Sequence, residues 1–221
     1  MPLDRRLLYG FLAREGLRFG EAVALQWGDV DLERGALKLD QTKTEDARAW
    51  SLTPGVPEAL AAFKPDDAQP TDRVFFGLDG EHCADIFRAD LKAAGIARAE
   101  LFERSKTRLP VRVHDLRATC VTLSLANGKT ESWVADRTGH RSSVMLNRYR
   151  RAARTAAGLG LGSLLPLVDA IPEFGTPAGP GNGPKGGPKS HVAPWRNGRR
   201  RGLKIPLQQW NVGSSPTGAT K

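Results

Sequence analysis

A break in composition near Val168 limits where this chain can build a core. Residues 169–221 carry eight lysines and arginines against two acids, Asp169 and Glu173. They include Gly175 to Pro188, a run in which glycine and proline alternate with small polar residues. Such a stretch cannot bury enough apolar surface to offset the entropy of ordering it. The fold is therefore expected within residues 1–168, with 169–221 a Pro/Gly-rich, basic, disordered tail. The net charge is +9 over 221 residues, and the tail holds +6 of it. A basic balance of this size points to a polyanionic partner, most simply nucleic acid. A merely basic soluble protein is the plainer reading of charge alone. Two cysteines far apart, Cys83 and Cys120, exclude a disulfide framework or a cysteine zinc site and fit a reducing cytoplasm. No signal peptide is legible, and no apolar run is long enough to span a membrane.

The first 168 residues read as mainly α, of α+β class: packed helices with a small antiparallel sheet. Leu7, Leu8, Phe11 and Leu12 recur at helical spacing over Leu3 to Glu15, and Gly16 ends that helix. A second helix is expected from about Arg18 to Gln26. Ala36–Leu39 and Arg48–Leu52 have the pattern of paired strands. Further helices are expected over Pro57 to Phe63, His82 to Ala94, Asp115 to Asn127 and Glu131 to Thr138. A last long helix opens at Ser142 or Ser143. Strands and helices do not alternate, which argues against a parallel sheet.

Six polar residues then stand out: Arg18, Lys43, His114, Arg117, His140 and Tyr149. Each alone has a plain reading, as a surface pair, a solvated lysine, a helix cap or a half-buried aromatic. Jointly they supply the parts of a phosphodiester exchange. Such a reaction needs a nucleophile, charge on the non-bridging oxygens and a proton for the leaving oxygen. A phenol with a reference pKa of about 10 needs help to attack near neutrality. Guanidiniums suit a phosphate because their planar fork donates two parallel hydrogen bonds. No acidic cluster of metal-binding type accompanies the set, so neither metal nor cofactor is expected.

The order and spacing of the set resemble the tyrosine recombinases, the phage integrases and their chromosomal relatives. The resemblance rests on Gly16-Leu-Arg-Phe-Gly-Glu21, the hairpin Lys43, His114-Asp-Leu-Arg117 and Gly139-His140, with Tyr149 nine residues after His140. His114 and His140 lie twenty-six apart, and Leu25-Gln-Trp-Gly-Asp-Val-Asp31 adds supporting text. About residues 5–155 are covered. The resemblance implies that Tyr149 is a nucleophile forming a 3′-phosphotyrosyl bond, and that Arg18 and Arg117 clamp the scissile phosphate. It implies Lys43 as general acid, with Lys38 nearby as the competing lysine. His114 is implied as the base, His140 as a support for the phosphate, and Glu21 as a buttress.

The partners implied are double-stranded DNA attachment sites, a tetramer of the chain on paired sites, and accessory DNA-bending proteins. The place implied is the cytoplasm, at the nucleoid, with no membrane. The family's N-terminal DNA-clamping domain is expected to be absent. Leu159 to Val168 is a candidate for the C-terminal helix that family members dock on a neighbouring protomer, although its glycines and Pro166 make a poor helix. In the tail, Val212-Gly-Ser-Ser-Pro-Thr217 can be encoded by the T-arm of a transfer-RNA gene. The tail thus reads either as translation into an attachment site or as a basic segment touching DNA nonspecifically. Two other functions stay open: a type IB topoisomerase-like relaxing activity, and a non-catalytic DNA-binding remnant.

Overall fold

The computed structural model describes residues 1–40, 47–76, 78, 80–140 and 142–174. The first helix, α1 (Leu3–Glu15), buries Leu7, Leu8, Phe11 and Leu12. It ends where Gly16 turns left-handed at φ 69°. A Cβ at Gly16 would sit 2.9 Å from both Cys120 Sγ and Thr138 Cγ2, so both the turn and the close approach require glycine. The next helix, α2 (Phe19–Ala24), is shorter than the expected 18–26. Arg18 and Leu25 have extended backbones at its two ends. Leu25 and Gln26 leave the helix to pair with the chain around Arg73 and Val74, and this tertiary pairing overrides local helix propensity.

The sheet is an antiparallel meander of three strands, β1 (Val30–Asp31), β2 (Ala36–Leu39) and β3 (Arg48–Ser51). Strands β2 and β3 are those expected from the sequence pattern, whereas the two residues of β1 are too few to show a periodicity. Leu37 and Leu39 of β2 face the core while Lys38 faces solvent. Arg48 lies directly opposite Leu39 and so shares its inward face.

The helices α3 (Val56–Phe63), α4 (Cys83–Ala93), α5 (Asp115–Ala126), α6 (Glu131–Thr138) and α7 (Ser143–Gly158) stand within a residue of their expected places. Thr130 and Ser142 cap α6 and α7 through their side-chain oxygens. The central helix α5 packs between α1 and α7. A small second core of Val121, Val134 and Leu146 joins α5, α6 and α7, and Tyr149 packs against it. Asp90 of α4 is tied to α1 by Arg5 at 2.7 Å and by the Tyr9 hydroxyl at 2.9 Å. Cys120 is buried, and burial pushes its thiol pKa up to about 12, as for an inert core position.

Two expectations about the C-terminal side are corrected. Leu159 to Val168 does not form the expected helix. Gly160 turns left-handed, residues 161–166 form no helix, and a single turn, α8 (Leu167–Ala170), follows Pro166. Leu167 is buried in this chain's own core, α8 packs on α1 and α3, and Val168 N–H donates to Gly55 O. Residues 169–174, assigned to the tail by composition, belong to this packed body: Ile171 is buried and Phe174 meets Phe63 edge-on. Among the described residues, no helix is long and apolar enough to cross a membrane.

Candidate active site

The site is organised by the C-terminal end of α6. Three successive carbonyls there each accept from a different arginine. Arg137 O accepts from Arg48 Nη1 at 2.7 Å, Thr138 O from Arg117 Nη2, and Gly139 O from Arg18 Nη2 at 3.5 Å. The last carbonyls of a helix have no partner within it and carry its negative partial charge. They are natural seats for cations. Gly139 makes the seat possible, with φ 66° and Arg48 Nη1 only 3.1 Å from where a Cβ would stand.

Arg117 projects from α5 and is buried. Its second anchor is Gly16 O, at 2.6 Å, at the end of α1. The guanidinium therefore bridges the C-terminal ends of two helices. Burial, and then the charge of Arg18, push its pKa down to about 10, which still leaves it charged near neutrality. Arg18 caps the start of α2 and donates to Glu21 Oε1 at 2.7 Å, while its own N–H donates to Glu21 Oε2 at 2.8 Å. Glu21 also pairs with Arg48 at 2.7 Å. Burial works against the Glu21 carboxylate, but the donors from Arg18 and Arg48 prevail and hold its pKa below the ordinary range. Glu21 thus buttresses two arginines at once. Arg48 is the member that the sequence reading missed. A basic residue on the inward face of a strand was the available signal, since buried arginines are rare without a partner.

His114 directly precedes α5, and partial desolvation followed by the charge of Arg117 lowers its pKa. His140 follows Gly139 and is half-buried. Its Nδ1 lies 2.6 Å from the Thr138 hydroxyl, and its ring meets Tyr149 edge-on with centroids 6.1 Å apart. Tyr149 is half-buried on the second turn of α7. The structure therefore brings together Arg18, Glu21, His114, Arg117, His140 and Tyr149, and adds Arg48. Lys43 lies outside the described residues. The connection that carries it leaves β2 at Leu39 and re-enters at Arg48, which is itself in the site. The competing Lys38 points to solvent and pairs with Asp40 at 2.7 Å.

Residues 1–155 fit the sequence profile described as "Phage integrase family". The chain belongs to this family. Among solved structures, XerA recombinase is similar at a TM-score of 0.51 and 22% identity, over 74% of this chain and 65% of that one. The Tn1549 transposon integrase, in complex with circular intermediate DNA, is similar at 0.50 and 19%, over 69% and 56%. At such identities the likeness is one of fold, and this integrase-family chain spans less than two thirds of either. No curated protein sequence matches it significantly. Among the described residues, no three His, Cys, Asp or Glu side chains cluster as a metal site would require.

The electrostatics of the site predict how stability responds to pH. Burial, then Arg117, Arg18, His114 and Arg48 in turn, press the His140 pKa down to about 4. The unfolded value is about 6.5. Between these values the unfolded chain binds a proton that the folded chain refuses, so stability falls as pH drops from about 6.5 to about 4. His114 adds a loss of the same sign. Glu21, depressed instead, contributes a loss that begins at the ordinary carboxylate value and continues as pH falls through its lowered one. Urea midpoints measured against pH should show the first loss, and it should shrink in His140→Gln. An unchanged profile in that variant would refute the assignment.

Proposed function

We propose that this chain is the catalytic part of a site-specific DNA recombinase, cutting and rejoining DNA through a 3′-phosphotyrosine at Tyr149. The observation that carries this reading is the charge balance beside that phenol. Three guanidiniums, Arg18, Arg48 and Arg117, converge on one helix end with a single carboxylate, Glu21, among them. Two positive charges are left over in a partly desolvated place, where a phosphate would neutralise them. Arg117 uses two of its five N–H donors on backbone carbonyls, which leaves others for a phosphate oxygen.

In this reading Tyr149 attacks the phosphorus, and Arg18 and Arg117 hold the non-bridging oxygens. Lys43 protonates the departing 5′-oxygen, and an imidazole takes the phenolic proton. The covalent intermediate keeps the bond energy, so rejoining needs no nucleotide cofactor. The substrate is duplex DNA at the attachment sites of a phage or integrative element, recombined in a tetramer. Docking on DNA is expected to be steeply salt-dependent, because arginine–phosphate contacts release counterions.

The test is covalent trapping. The full chain is incubated at low salt with nicked duplexes drawn from DNA flanking the 3′ end of its gene, and products are run on denaturing gels. A protein–DNA adduct is expected, and Tyr149→Phe should abolish it. Binding that survives Tyr149→Phe, with no adduct from the parent protein, would instead favour a non-catalytic DNA-binding role. Relaxation of plasmids without sequence preference would favour a topoisomerase-like activity.

A further inference from the structure

Two links join the end of α1 to the end of α6, and they lie side by side. The first is Arg117, whose guanidinium donates to Gly16 O at 2.6 Å and to Thr138 O. The second comes one residue earlier on both helices, where Glu15 Oε2 accepts from Arg137 Nη1 at 3.0 Å. Strand β3 and the residues just after it are drawn into this second link. Trp50 Nε1 donates to Glu15 Oε2 and Thr53 N–H to Glu15 Oε1, each at 2.8 Å. Arg137 Nη2 donates to Ser51 O, and Arg137 O accepts from Arg48. Glu15 is fully buried and the Arg137 side chain nearly so.

Stability alone does not account for a charged pair in this place. Taking both charges out of water costs much of what their attraction returns, and well-packed apolar side chains of similar volume do as well or better. What apolar contacts do not supply is a fixed distance and direction, which hydrogen bonds do. Arg117 needs both. Its fork is rigid, so the two carbonyls must stand a set distance apart for both Nη groups to be held. Once they are held, the plane of the guanidinium is fixed, and so is the aim of the N–H donors it has left. The side chains that set this spacing are those of the residues just before Gly16 and Thr138.

We infer that Glu15 and Arg137 are positioning residues for Arg117: their buried ion pair sets the separation of Gly16 O and Thr138 O, and so aims the remaining donors of Arg117 at the scissile phosphate. This rests on the recombinase reading above. Neither side chain touches the phosphate in this role, and both act through Arg117. Docking on DNA is spread over many contacts and tolerates a small displacement of one guanidinium. Stabilising the transition state does not, because it depends on where the donors point.

The hold on Arg117 can be read without any activity. In ¹⁵N spectra of arginine-labelled protein, a guanidinium free to rotate about Nε–Cζ gives one averaged Nη signal, and one held at both Nη groups gives two. Arg117, assigned by its loss in Arg117→Lys, should give two. They should merge in Glu15→Gln/Arg137→Met, which removes both charges and keeps an acceptor oxygen beside Trp50 and Thr53. Arg137→Lys, which keeps the ion pair, should keep them apart. Urea curves select conditions under which each variant is folded, and Glu15→Gln alone is the milder second variant. In single-turnover attachment the double variant should be slower by about 10–10²-fold, with DNA affinity unchanged. In an Arg117→Lys background the same two changes should slow attachment little further, as for residues that act through one group. Equal slowing in both backgrounds would mark a purely structural role and overturn the inference. A single averaged Nη signal for Arg117 in the parent also overturns it, as do two signals that persist in the double variant. Two signals that merge as expected, in a protein whose parent forms no adduct, leave the hold on Arg117 standing and overturn the recombinase reading.

Discussion

Arg117→Ala is expected to slow covalent attachment to DNA by about 10²–10³-fold, the usual cost of removing a preorganised donor from a developing anionic charge. The same change should destabilise the fold. Gly16 O and Thr138 O would each lose a donor in a buried place, at about 1–3 kcal/mol for each unsatisfied group. The two effects can be separated with Arg117→Lys. A lysine keeps the charge, but a single ammonium cannot bridge two helix ends and also present a planar fork to a phosphate. Urea unfolding of Arg117→Lys should therefore recover part of the stability, while single-turnover attachment stays slow. A lysine variant cleaving at the parental rate would show that charge alone suffices and that the bridging geometry is incidental.

Glu15→Ala is expected to lower the unfolding free energy by about 3–5 kcal/mol, the range for breaking a buried ion pair from one side. Glu15 is fully buried at the last turn of α1. It accepts from Trp50 Nε1 and Thr53 N–H, each at 2.8 Å, and from Arg137 Nη1 at 3.0 Å. Its removal leaves the Arg137 charge with 11% side-chain exposure and no carboxylate. Stacking of that guanidinium on Trp133 at 4.1 Å offsets only part of the loss. Glu15→Gln should fall between the two, because an amide oxygen still accepts hydrogen bonds but brings no charge. Equilibrium urea curves read both variants. A loss under about 1 kcal/mol for Glu15→Ala, the scale of an exposed pair, would mean that Arg137 finds water in its place.

Neither Glu15 nor Arg137 stood out in the sequence, and the reason is general to this site. Arg18, His114, Arg117, His140 and Tyr149 were legible because their residue types at those spacings are rare by chance. The helices were legible because Leu7, Leu8, Phe11 and Leu12, and their equivalents, show a helical period that local chemistry enforces. Glu15 and Arg48 act through partners far away in the chain. Arg48 reaches Arg137 O across 89 residues and Arg137 reaches Glu15 across 122. Nothing in the neighbourhood of either residue announces such a partner. Strand β1 was invisible for the opposite reason: two residues cannot display a period. The Leu159–Val168 segment does not form the expected helix because Gly160 turns left-handed and Pro166 precedes the single turn that carries Leu167 into the chain's own core.

The three arginines seated on residues 137–139 place an unusual demand on α6. They grip main-chain oxygens, and those oxygens are present whatever side chains the helix bears. Outward positions such as Asp136, which is exposed, are thus free to vary without disturbing the grip. Length is another matter. Adding or deleting one residue in α6 rotates everything beyond it by about 100°. All three carbonyls would then turn away from their arginines together. The helix should accept changes at its outward positions and hardly any indels, so insertions and deletions in α6 would report on the seating of all three arginines at once.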